Sequence, residues 1–290
     1  MQLHLGLAPA PLRLCVLGSG SAGNCVVIES GSHRLLVDAG FSCKQIEKRL
    51  AAVGVDPGSV DSIVVTHEHG DHVRGAALFA SRYQATIYGT HGTLEHSGLA
   101  AKPVPTRELQ SSRPHRLEGF LLHPFRVPHD AREPIGVAVE DGSGRRVAVV
   151  GDLGTASRLA WAHLGDLDGL VVETNHDLDM LRRGPYPWHL KQRVAGRHGH
   201  LSNREAAEGL AELVSDRLQW VVLYHLSTTN NSPALAAEAI TRALREEGSA
   251  ARVCVSEQLV PTPWLTVDAP AGQQAPDGEV AIGASDSPVG

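Results

Sequence analysis

His67-Glu68-His69-Gly70-Asp71-His72 places three imidazoles and an aspartate within six residues, directly after the apolar run Ser62-Ile63-Val64-Val65-Thr66. Imidazole and carboxylate suit zinc and similar divalent ions. Four such side chains on one turn cannot all point at one ion, so the spacing suggests two adjacent metals. Two neighbouring cations can share a hydroxide and clamp both oxygens of a displacement reaction. His129, Asp152, His176 and His225 recur further along the chain, each just past a short apolar stretch.

Those apolar stretches are the elements that must position the chemistry. Ser62 to Thr66 is short and β-branched and reads as a buried strand. Leu12 to Leu17, Cys25 to Glu29 and Arg34 to Asp38 read as three more, joined by tight turns. Ser42 is an N-cap for a helix that closes at Gly54, Val73 to Tyr83 reads as one helix, and Ala85 to Tyr88 as a strand. Leu121 to Val127 leads into Pro128-His129. Ile135 to Glu140 and Arg145 to Val150 flank Gly142-Ser143-Gly144, a hairpin signal, and the second arm ends in Gly151-Asp152. Gly169 to Glu173 and Gln219 to Leu223 are strands ending near His176 and His225. Between them, Ser202 and Glu205 form a capping box for a helix through Val214, and Ser232-Pro233 opens another through Arg245. Buried strands hold their ends rigidly, so strand-end positions can assemble one site from distant sequence.

Composition narrows the class. The 290 residues carry a net charge of −6, so the whole molecule is not a basic nucleic-acid binder. Hydrophobic residues at 42% with aromatics at 4% imply a core of Val, Leu, Ile and Ala. The four cysteines, Cys15, Cys25, Cys43 and Cys254, form no C-x-x-C pair and read as reduced, buried thiols. With no signal-peptide pattern and no apolar run near the roughly 18 residues of a membrane span, the reading is a cytoplasmic protein with no membrane partner. Residues 1–11 read as an extension, 12–268 as one domain and 269–290 as a disordered tail. Gly18-x-Gly20-x-x-Gly23 matches a dinucleotide fingerprint literally. A strand follows it rather than a helix, so no nucleotide cofactor is expected.

His-x-His-x-Asp-His, followed in order by His129, Asp152 and His225, resembles the metallo-β-lactamase superfamily. Val37-Asp38-Ala39-Gly40, Val127-Pro128-His129, Gly151-Asp152 and His225-Leu226-Ser227 complete its motif order. Gly18 to Asn24, Cys43 to Glu47, Glu173 to Asp177, Gly184 to Lys191 and Gly199 to Ser202 resemble the YycJ/WalJ-type branch, related to the RNase Z and RNase J nucleases. The resemblance implies an αββα sandwich of two mixed sheets with helices on the outer faces, the second sheet completed by strands around Cys254 and Trp264. It implies that His67, His69 and His129 hold one divalent ion, that Asp71, His72 and His225 hold a second, and that Asp152 bridges them. Asp38 would fix the tautomer of a ligand histidine. Zinc, manganese or iron would suit these N/O ligands. Asp71 and His200 would be catalytic, His200 contacting the scissile phosphate or protonating the leaving oxygen. RNase Z-type enzymes place a carboxylate just upstream of the aspartate; here Val147 to Val150 is apolar, and Glu173 or Asp177 are the available substitutes.

Residues 182–204 carry Arg182, Arg183, Lys191, Arg193, Arg197 and Arg204 with no acidic residue, interleaved with Tyr186 and Trp188. Cations among stackable rings suit a nucleic-acid strand. Asn175, His176, Arg193 and Arg197 are therefore candidate substrate contacts. The expected function is hydrolysis of phosphodiester bonds in DNA or RNA by a metal-bridging hydroxide, as a 5′–3′ exonuclease. The alternative is a small-molecule hydrolase of the same fold, acting on a thioester, lactone or cyclic phosphodiester.

Overall fold

The computed structural model describes residues 10–156 and 158–268. Fourteen strands among these residues form two seven-stranded sheets. The first sheet starts with β1 (Leu12–Gly18), β2 (Cys25–Ser30) and β3 (His33–Val37), an antiparallel meander, and continues with β4 (Ser62–Val64), β5 (Thr86–Gly89) and β6 (Thr106–Glu108), which run parallel to β3. The second sheet opens with the antiparallel strands β7 (His115–Leu117), β8 (Phe120–Arg126), β9 (Ile135–Asp141) and β10 (Arg146–Val150). It ends in the parallel strands β11 (Gly169–Glu173), β12 (Trp220–Tyr224) and β13 (Arg252–Val255). A short β14 (Leu265–Thr266) pairs with β1.

Alternation along the strands builds the layers, because successive side chains point to opposite faces. Leu14, Val16, Val26, Ile28, Leu35 and Val37 point inward and pack with Val137, Val139, Val147, Val149, Val171 and Val222 of the second sheet. The intervening Cys15, Leu17, Val27, Leu36 and Ile63 point outward, under α1 (Cys43–Ala52) and, past α2 (Gly70–Val73), under α3 (Ala76–Tyr83) and α4 (His91–His96). On the far face, Ala148, Val150, Leu170, Val172, Val221 and Leu223 pack beneath helices. The helices that pack there are α5 (Arg158–Trp161), α8 (Asn203–Ala211) and α9 (Pro233–Glu246), with α6 (Leu178–Arg183) and α7 (Trp188–Val194) preceding α8 in the chain. Three apolar interfaces between four layers make this an αββα sandwich.

Several expectations shift in detail. The strand after Trp264 joins the first sheet, not the second, because the chain crosses back and pairs with β1 at Arg13 and Leu14. The helix expected over Val73 to Tyr83 breaks into α2 and α3 at Gly75. There Gly75 N–H donates to Ala39 O at 2.8 Å, and a Cβ would stand 2.2 Å from Phe41 O. The Gly18 to Gly23 segment is the tight turn between β1 and β2. The capping box is present, with Ser202 Oγ accepting from Glu205 N and the Glu205 carboxylate accepting from Ser202 N. The expected tail, 269–290, and most of the N-terminal extension lie outside the described residues. No helix among the described residues is long and apolar enough to cross a membrane.

Candidate metal centre

The C-terminal ends of β3, β4, β8, β10, β11 and β12 converge at one edge of the sandwich. They carry Asp38, the His67 to His72 turn, His129, Asp152, Glu173 and His225. Asp38, Asp152 and His225 have φ of 61°, 40° and 55°. Non-glycine residues in this region cost on the order of 1–3 kcal/mol each, so the surroundings must enforce the geometry.

Backbone lacing holds the ligand turn. Asn24 N–H donates to Asp71 O at 2.9 Å and Ala39 N–H to His72 O at 2.8 Å. The approach is so close that a Cβ on Gly40 would stand 1.6 Å from Asp71 O. Asp38 then orients the histidine: His72 Nδ1 donates to Asp38 Oδ2 at 2.7 Å, while Oδ1 accepts from Thr66 N at 2.8 Å. This contact turns His72 Nε2 towards the cluster. His129 Nδ1 donates to Gly199 O at 3.0 Å, which likewise turns its Nε2 inward.

Asp152 lies at the middle. Its Oδ2 is 3.4 Å from His67 Nε2 and 3.5 Å from both His72 Nε2 and His129 Nε2. His129 Nε2 and His69 Nδ1 face each other at 3.3 Å. On the other side, Asp71 Oδ2 is 3.7 Å from His72 Nε2 and 3.6 Å from His225 Nε2. Donor atoms of His67, His69, His129 and Asp152 fall within 4.8 Å of one another, as do those of Asp71, His72 and His225.

The donor chemistry fits divalent cations. His67 Nε2 and His225 Nε2 are buried without hydrogen-bond partners, although buried polar atoms are normally satisfied, and Asp152 Oδ1 meets only His225 Nδ1, at 2.8 Å. Burial, with the charge of His72, pushes His67 down to about 4, so its ring is neutral with a lone pair to offer. Burial likewise lowers His129. Burial would raise Asp71, but the nearby His225 imidazole and the charge of His72 hold it at about 2. Burial would lower His72, yet the charges of Asp38 and Asp152 raise it to about 10. This half of the cluster demands positive charge, from a proton or from a cation.

Glu173, which the sequence offers only as one of two substitutes, has a central place. Its Oε1 accepts from His200 Nδ1 at 2.7 Å and from His225 Nδ1 at 3.0 Å. Its Oε2 accepts from Leu153 N at 2.8 Å and Leu201 N at 3.1 Å. Burial would raise it, but the charge and hydrogen bond of His200 and the bond from His225 hold it at about 2. Its charge in turn raises His200 against the effect of burial. The His200 ring centroid lies 5.4 Å from that of His129 and 5.2 Å from that of His225. Asp177 instead caps α6.

Two residues absent from the sequence-based candidates also serve the site. Ser19 Oγ accepts from His225 N at 2.7 Å, and Asn24 Nδ2 lies 3.1 Å from His72 Nε2. Both belong to the Gly18 to Asn24 motif, whose signal was visible without its role. The substrate-facing expectation for Asn175 and His176 needs correction. His176 is completely buried, and Asn175 Nδ2 donates to His225 O at 2.8 Å. Asn175 braces the His225 loop, and the His176 backbone pairs with the Ser202–Asn203 segment. Arg193 and Arg197 are both exposed, and Arg193 is engaged by Asp130, with Nη2 at 2.7 Å from its Oδ2.

Comparison with known proteins places this geometry in context. Residues 33–225 match the family described as the beta-lactamase superfamily domain. The chain is 34% identical over 241 residues to "Exodeoxyribonuclease YycJ" of Bacillus anthracis, covering 82% of this chain and 90% of that protein. It is 34% identical over 237 residues to "Exodeoxyribonuclease WalJ" of Streptococcus pneumoniae, covering 77% and 85%. Among solved structures it resembles the metallo-beta-lactamase fold protein YhfI from Bacillus subtilis, with a TM-score of 0.68 at 18% identity over 87% of this chain and 99% of that one.

Proposed function

The chain belongs to the beta-lactamase superfamily, and from that premise we propose that it is a metal-dependent phosphodiesterase that shortens nucleic-acid strands from an end. The observation that carries the reading is the cluster around Asp152, with its unpartnered buried donors on both sides. The likeness to two proteins named exodeoxyribonucleases over most of their length supports the substrate class. The four cysteines form no disulfide, in keeping with a cytoplasmic setting. We take residues 12–268 as the catalytic unit.

In this reading His67, His69 and His129 would hold one divalent ion, Asp71, His72 and His225 would hold a second, and Asp152 would serve both. Zinc or manganese suits the donors, as does iron. Bound there, the ions supply a water acidified towards neutral pH and positive charge for the phosphoryl oxygens. Asp38 and Glu173 fix the orientation of His72 and His225. Glu173 accepts from His200 Nδ1, which leaves His200 Nε2 as the proton carrier facing the leaving oxygen. DNA is the substrate favoured by the named relatives, and the exposed cations of residues 182–204 suit the strand backbone.

The test is reconstitution. Protein stripped with chelator is titrated with Zn²⁺ or Mn²⁺, and metal content and cleavage of single-stranded DNA and RNA are followed together. Cleavage that rises with metal and saturates near two ions per chain is expected. Undiminished cleavage by the stripped protein would contradict the reading.

A further inference from the structure

Two adjoining cavities lie behind His129. The smaller, about 160 Å³, is lined by His129 itself with Arg126, Arg132, Glu133 and His198. The larger, about 370 Å³, is lined by Arg126, Val127, Pro128, Thr155, Ala160, Arg197 and His198. They share Arg126, Val127, Pro128 and His198, so together they form a channel that starts at a candidate metal ligand and widens away from it.

The walls are held rigidly by close backbone packing. Gly154 N–H donates to Pro128 O at 2.7 Å, and a Cβ on Gly154 would stand 2.4 Å from Arg197 O. The absence of that Cβ lets the Arg197-His198 segment close against the Pro128 loop. Gly199, next in line, supplies the carbonyl that orients His129. Channel wall and metal ligand are thus parts of one piece of backbone.

The lining is chemically specific. No carboxylate lines the larger cavity, whereas Arg126, Arg197 and His198 all do. Among the described residues Arg197 and His198 have no ion-pair partner; Arg126 contacts Glu133 Oε1 at 3.0 Å and Ser111 Oγ at 3.3 Å. The remaining wall is Val127, Pro128 and Ala160, which are apolar, and Thr155, which adds one hydroxyl. A flat apolar group fits against the proline and the guanidinium and imidazole planes, and an anion fits at their edges. One nucleotide has both parts: a base that stacks on Arg and His planes and a phosphate that pairs with guanidinium.

We propose that this channel receives the nucleotide next to the scissile phosphate, its base unpaired in the larger cavity and its phosphate on Arg126 and Arg197. This rests on the nuclease reading above and adds a subsite to it. A base lodged there cannot remain paired, so the subsite selects a frayed or single-stranded end.

The experiment compares kcat/KM for a 5′-labelled single-stranded DNA 20-mer with kcat/KM for bis(p-nitrophenyl) phosphate, which has no neighbouring nucleotide. In the Arg126→Ala/Arg197→Ala variant the ratio of the two should fall at least tenfold. His198→Ala, at an exposed side chain, carries the same comparison if the double variant does not fold, with a drop of about threefold expected. A ratio equal to wild type in a folded variant overturns the subsite alone. A wild-type protein that hydrolyses the small diester but shortens no strand overturns the nuclease reading, and the subsite with it.

Discussion

Glu173 Oε1, fully buried, accepts a hydrogen bond at 2.7 Å from Nδ1 of the half-buried His200. The pair joins the end of β11 to the segment before α8, 27 residues later in the chain. The carboxylate is fully engaged, since it also accepts from His225 Nδ1 and two backbone amides. Glu173→Gln keeps the volume and removes the charge that sustains the His200 proton. We expect kcat for strand cleavage to fall roughly 10–100-fold with KM changed less than about threefold. Steady-state kinetics decide it, and a wild-type kcat would remove His200 and Glu173 from the chemistry.

Asp38 and His72 make a second pair, 2.7 Å apart, in which the carboxylate orients a candidate ligand. Asp38 sits at φ 61°, a conformation that asparagine tolerates, so Asp38→Asn tests the charge without disturbing the backbone. Metal affinity should fall about 10–100-fold. Competition against a fluorescent chelator measures it, and an unchanged affinity would show that the contact is only structural.

These two pairs mark what was legible in the sequence. The His67 to His72 turn and the strand-end placement of His129, Asp152 and His225 are readable because each follows a short apolar stretch. Asp38 was readable through its motif. The Glu173 contact was not, because it depends on which strand lies beside which: β11 must bring its end against Leu201 before the carboxylate meets His200. The same holds for β14, a two-residue strand whose pairing with β1 no local pattern announces. Arg126 was missed because its neighbours in the channel, Arg197 and His198, are about seventy residues distant in sequence.

The backbone contact between Gly40 and Asp71 predicts a contrast between two glycines. Gly40→Ala would drive a Cβ into Asp71 O, whereas Gly70 has nothing within 4 Å of its ideal Cβ. Gly40→Ala should cost roughly 2–4 kcal/mol or prevent folding, and Gly70→Ala should stay within about 0.5 kcal/mol. Urea denaturation of both variants tests this; equal stabilities would mean that the ligand turn is not clamped as described.

His123, on β8 and away from the metal cluster, gives a pH prediction. Burial, and then the charge of Arg146, lower it, with Glu140 opposing. A histidine depressed in the folded state leaves stability intact above its unfolded value near 6.5 and erodes it as pH falls towards the folded value. The stability advantage of wild type over His123→Gln should therefore shrink between pH 7.5 and pH 5. Parallel thermal melts at the two pH values would reveal it, and an advantage that grows at low pH would reverse the sign.

The most direct test of the central claim is digestion of 5′- and 3′-end-labelled single-stranded DNA by purified protein, with Asp71→Ala alongside and metal content measured in both samples. Stepwise, metal-dependent shortening by the wild type and none by the folded variant is the predicted result. No shortening by a wild-type sample shown to hold two metal ions per chain would contradict it.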